Sequence, residues 1–106
     1  MNEHAVIIHL RLSNSSFGVS DEQEAFFALE DEVAAAIEDA QSGEFDGDEF
    51  GEGECVLYTY GPDADVLFAA IEPVLKASSL ANGGYAIKRY GEAANPTARE
   101  IRVTWD

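Results

Sequence analysis

Between Leu12 and Leu75 the chain carries no Lys or Arg, and the window Ser20–Glu72 holds 17 of its 21 acidic residues. Any fold available to it must keep most of the carboxylates of that base-free middle in contact with water. Arg11, Lys88, Arg89, Arg99 and Arg102, five of the six bases, lie near the two ends of the chain. The formal net charge is −15, yet residues 77–106, with four bases and three acids, sum to +1. If the acidic middle occupies one side, the molecule is a dipole. Such a side repels phosphate backbones and anionic membranes and attracts basic proteins or cations. Acidic surface residues also keep a small domain dispersed.

The length, 106 residues, points to a single domain over 1–106. At 46% hydrophobic content the chain is too apolar to be disordered. Folding at this size buries roughly two thirds of the chain's surface, so no disulfide or metal staple is required. Cys55 is the lone cysteine, which fits a reducing, cytoplasmic setting. The opening residues MNEHAVIIHL lack a basic n-region, so no signal peptide is read there. No stretch reaches the roughly 20 apolar residues that span a bilayer.

The pattern of apolar residues gives the elements. His4–Leu12 alternates Val6, Ile8, Leu10 and Leu12 with Ala5, Ile7, His9 and Arg11, and its near-continuous apolarity suggests a central strand. Residues 13–18 read as a loop. Ser20 and Gln23 make a capping-box pattern, with acids crowding the first turn. Phe26, Leu29, Val33, Ile37 and Ala40 form a helical stripe. Glu30, Asp31, Glu32, Glu38 and Asp39 cover most of the remaining surface, and Gly43 supplies the stop. Glu44–Phe50 reads as a short, irregular edge strand followed by a tight turn at Gly51–Gly53.

Glu54–Tyr60 (ECVLYTY) is a strand whose two faces are both apolar enough to be buried, so its register stays open. Asp63 caps a second helix, and Pro73 should kink it or end it early. Asn82-Gly83-Gly84 makes a turn. Strands follow at Tyr85–Tyr90 and Arg99–Trp105.

The order is β-α-β-β-α-β with one added C-terminal strand. This predicts an α+β, ferredoxin-like two-layer sandwich: an antiparallel-rich sheet with two helices on one face and the other face open. The segments G-E-F-D-G and L-Y-T-Y-G-P-D-A-D-V-L-F resemble small, acidic, uncharacterised bacterial proteins with this plan. The resemblance covers residues 43–75 and implies no activity.

Three surfaces could carry function. The first is acidic: Glu30, Asp31, Glu38 and Asp39 on the first helix with Asp46, Asp48, Glu49 and Glu52 on the hairpin, a candidate face for a basic protein. The second is the open sheet face, with His9, Arg11, Tyr58, Tyr60, Lys88 and Arg102 as candidates. Aromatics and bases on such a face can stack single-stranded nucleic acid. The missing RNP-type motifs and the repulsive overall field make nucleic acid a poor partner, and a homodimer a better one. The third is the glycine-interleaved acids at 44–54 as a weak divalent-cation site. Against an EF-hand loop starting at Asp46, Phe50 and Leu57 fall where ligands belong, so no metal residue is assigned.

No catalytic residue or cofactor is indicated. The serines lack a nucleophile-elbow context, and G-E-G-E-C lacks the phosphate-loop Lys. Two expectations therefore compete. One is a non-enzymatic interaction, regulatory or inhibitor module. The other is a small enzyme or ligand-binding domain with a pocket on the open face.

Overall fold

A computed structural model describes residues 3–12 and 20–105, with the side chains of 20 and 21 excluded. The loop read over 13–18 lies outside the described residues, as does the side chain behind the Ser20 capping box. The elements are β1 (His4–Arg11), α1 (Ser20–Asp39), β2 (Glu44–Gly51), β3 (Glu54–Gly61), α2 (Ala64–Ala77), a 3-10 turn (Ser79–Ala81), β4 (Tyr85–Arg89) and β5 (Glu100–Val103). The fold is α+β, with two helices and a five-stranded antiparallel sheet ordered β2-β3-β1-β4-β5.

Alternation on β1 decides the layers. Val6, Ile8 and Leu10 are fully buried and pair with Thr59, Leu57 and Cys55 of β3. The even-numbered β1 positions thus face the helices, and the register left open for β3 resolves with Cys55, Leu57 and Thr59 inward. Phe26, Leu29, Val33 and Ile37 of α1 and Leu67, Phe68, Ile71 and Leu75 of α2 close the core on that side. Each such side chain contributes about 1.5–3 kcal/mol by leaving water. Thr59 satisfies its buried hydroxyl by donating to the Val6 carbonyl at 2.7 Å.

The α1 terminus differs from expectation. Gln41, at φ 50°, takes the left-handed position, with Gln41 N–H donating to Glu38 O and Ser42 N–H to Ile37 O. This is a Schellman ending. Gly43 serves a different need: a Cβ there would lie 2.0 Å from the Tyr60 carbonyl oxygen, so its glycine lets the chain leave α1 against the end of β3.

On the edge strand β2 the pairing shifts between Phe45 and Gly47, a bulge at Asp46. The turn to β3 is two residues, Glu52 and Gly53, both at positive φ (52° and 79°), which matches the twist of a hairpin.

Asp63 caps α2, its carboxylate accepting from the backbone N–H groups of Asp65 and Val66. Pro73 neither ends nor shortens this helix, which runs to Ala77. Pro73 and Ala69, one turn back, are both exposed, so the carbonyl that loses its N–H partner can meet water. Trp105, 3% exposed, packs into the core and donates its indole N–H to Ala81 O at 3.1 Å. No helix among the described residues is long and apolar enough to cross a membrane.

Candidate functional site

The acidic surface has one member in the wrong place for surface contact. Glu30 is only 7% exposed. It lies on the buried stripe itself, because Phe26, Glu30, Val33 and Ile37 recur at four-, three- and four-residue steps. That spacing is visible in the sequence; its charge alone assigned Glu30 to the solvent side.

Opposite Glu30 is Asp48, on the helix-facing side of β2 across from Leu57. Glu30 lies against the Asp48 carboxyl, and a hydrogen bond between two carboxyls requires a proton, since an ionised carboxylate only accepts. Burial first, then the bond to Asp48 and repulsion from Asp48 and Asp31, push Glu30 up to about 8. Its Oε2 has no hydrogen-bond partner. Cys55 lies behind the pair. Burial, followed by the charges of Glu30 and Asp48, raises its thiol to about 12, the opposite of an activated nucleophile.

The remaining acids of that surface are exposed. Asp31, Glu38, Asp39, Asp46, Asp48, Glu49 and Glu52 all face solvent, and no Lys or Arg forms an ion pair with any of them among the described residues. A cleft of about 470 Å³ runs between α1 and β2. Ala34, Ile37 and Phe45 contribute its apolar lining, and Glu38 and Glu44 line it as well. The packing of Phe26 and Phe27 edge-on against Phe50, at 6.2 and 5.6 Å, fixes α1 over the same strand. The hairpin acids do not converge. Glu44 and Glu49 point to the open face, Asp48 to the helix side, and Asp46 sits at the bulge. No group of three metal-ligating side chains is placed for an ion among the described residues.

The open face gathers most of its expected residues and loses one. His9, Arg11, Tyr58 and Tyr60 lie on it, in register with Val56, Glu54, Ile7 and Ala5. Arg102 joins them beside Ile87. Lys88 does not. It pairs with Val6, an inward position, so it lies on the helix side, with Nζ 3.1 Å from Asp65 Oδ1 and 5.1 Å from the Phe68 ring centre. Tyr90 likewise points to the helix side and donates its hydroxyl to Asp65. The reason is the pairing of Tyr85 with His9, which turns Tyr85, Ile87 and Arg89 outward. The sequence YAIKRY is mixed on both faces, and only the small Ala86 hinted at the side pressed against α2.

Tyr85 organises the outward face. It stacks on His9 at 4.6 Å and 8° from parallel, and the Arg102 guanidinium carbon lies 3.7 Å from its ring centre. His9 Nδ1 is 3.6 Å from Glu54 Oε1, beyond hydrogen-bond distance. Tyr58 donates to Glu49 Oε1 at 3.3 Å. His4 faces the other way, and its Nδ1 accepts the Ala64 N–H at the start of α2. Comparison with protein-family models, curated proteins and solved structures found no match to this chain.

Proposed function

We propose that this chain is a non-enzymatic interaction module that docks a basic protein segment along its α1–β2 edge. One observation carries the reading: the exposed acids Asp31, Glu38, Asp39, Asp46, Glu49 and Glu52 form no ion pair with Lys or Arg among the described residues, while four of the chain's six bases are engaged elsewhere. Lys88 is held by Asp65, Arg89 donates to Gly91 O, and Arg99 and Arg102 lie over Tyr90 and Tyr85. The cleft supplies shape to match. A Lys or Arg side chain can lay its methylenes on the half-buried Ala34 and Phe45 while its charge meets Glu38. Each exposed pair contributes only about 0.2–1 kcal/mol, so binding depends on several acting together and weakens with salt.

The fold reading that accompanies this is a ferredoxin-like plan extended by one strand. Its support is the order β2-β3-β1-β4, in which α1 and α2 each connect strands that lie two positions apart. β5 then adds to the β4 edge.

The test is calorimetric titration with a synthetic peptide alternating Lys and Leu. Binding should weaken at least about tenfold between about 50 and 500 mM salt, and should be lost in the double variant Glu38→Lys, Asp46→Lys. Equal affinity for the charge-reversed variant would overturn the reading.

A further inference from the structure

The face of the sheet away from the helices carries no other layer among the described residues. Its accessible middle is apolar: Ile7 on β1, Tyr58 on β3 and Ile87 on β4 are half-buried, while Ala5 and Val56 on the same face are already buried within the chain. Its flanks differ in sign. Glu44, Glu49 and Glu54 lie on the β2–β3 side, and Arg89 and Arg102 on the β4–β5 side. Counting Arg11 and Glu100 as well, three arginines meet four glutamates here, in a chain whose net charge is −15. This is therefore the side on which two copies can approach with least repulsion.

We propose that a second copy of this chain covers this face, related by a two-fold axis running along β1. Rotation about an axis parallel to the strands keeps each residue's level and exchanges the flanks, so β2 lies over the partner's β5 and β3 over the partner's β4. The pairings then fix who meets whom. One level reads Gly47, Tyr58, Ile7, Ile87, Arg102 across the sheet; the levels beside it begin at Glu44 and Glu49.

Arg102 thus comes over the partner's Gly47, where no side chain obstructs it, between the partner's Glu44 and the partner's Glu49. Tyr58 meets the partner's Ile87, and Ile7 meets its own symmetry mate. Glu100 faces the partner's Glu44, a like-charge contact flanked by Arg89 and Arg102. An axis across the strands would instead set the acidic flank on itself. Aligned sheets pack within about 30° of parallel, so the strands nearest the axis keep these partners, and at the flank Arg102 stays within reach of one or the other of the partner's Glu44 and the partner's Glu49. Five strands about 4.8 Å apart give a face at the small end of stable interfaces, and because area does not set affinity the association is sought over a wide concentration range.

Sedimentation equilibrium from about 1 µM to about 1 mM should show the 11.5 kDa chain passing to twice its mass. Glu49→Arg and Arg102→Glu should each weaken self-association at least about tenfold. Mixing the two variants should restore it as a heterodimer, because in the mixed pair each reversed side meets its opposite. Circular dichroism checks that each is folded; should Arg102→Glu fail to fold, Glu100→Arg, opposite the partner's Glu44, should instead tighten self-association, and no tightening would overturn the proposal. A monomer throughout the range, a dimer indifferent to both substitutions, or folded variants that do not associate on mixing would each overturn the proposal. The docking edge is tested separately, since Glu38 and Asp46 take no part in these contacts.

Discussion

Glu30 and Asp65 are both helix carboxyls that meet a side chain of the sheet, and they titrate in opposite directions. Glu30, on α1, is buried and bonded to another acid, Asp48, so its charged form is disfavoured and its pKa rises to about 8. Asp65, on α2, is exposed and accepts from Tyr90 and Lys88, so its charged form is favoured and its pKa falls. The two halves of one sheet handle charge differently. The α2–β4 half neutralises Asp65 internally, through Lys88. The α1–β2 half sets acid against acid at Glu30 and Asp48, and turns Asp31, Glu38, Asp39, Asp46, Glu49 and Glu52 to solvent with no Lys or Arg ion pair among the described residues. The second arrangement leaves an attraction unused, and that is why the docking surface is assigned there.

Four changes break or sharpen this contrast. Ile37→Ala removes a fully buried side chain from the seam that holds α1 on β2 and lines the cleft. Denaturant unfolding should show a loss of about 2–5 kcal/mol, together with loss of basic-peptide binding.

Glu30→Gln acts through pH. A carboxyl whose pKa is raised on folding stabilises the fold fully below its unfolded value of 4.5, and that contribution is lost as pH rises through about 8. The parent protein should therefore lose stability, on the order of a few kcal/mol, between those limits. The variant, whose amide can donate to Asp48 at any pH, should lose much less. Unfolding midpoints measured at intervals across that range check this, and parallel profiles would contradict it.

Asp63→Ala removes the α2 cap and should cost about 1 kcal/mol with no change in peptide binding. Asp65→Asn should have the smallest effect, and of opposite sign to Glu30. A lowered carboxyl stabilises above its unfolded pKa of 3.8 and loses that contribution as pH falls. The variant should therefore differ from the parent at neutral pH and converge with it in acid.

Much of this was legible in the sequence because period and chemistry agreed. Val6, Ile8 and Leu10 alternate cleanly, Asp63 precedes an apolar stripe, and β2 announces itself as an edge through its glycines and acids. Misreadings arose where two periodicities or two chemistries competed. Glu30 fits the apolar spacing but carries a charge, and burial was decided by a neighbour, Asp48, reached only through the hairpin. In YAIKRY both faces are mixed, so Lys88 and Arg89 could exchange sides until pairing with β1 fixed them. Pro73 was weighed by its missing N–H alone; exposure of the freed carbonyl removed the reason for the helix to break. The stack of His9, Tyr85 and Arg102 joins three strands, and no local pattern encodes it.

The claim at the centre is that the uncompensated α1–β2 edge is the binding surface. A residue-resolved NMR titration of the whole chain with the basic Lys–Leu peptide at low salt tests it most directly. The account predicts amide shift changes concentrated at Asp31, Glu38, Asp39, Glu44 and Asp46 that fade as salt is raised. Changes centred instead on α2 and β4, or spread evenly and insensitive to salt, would contradict it.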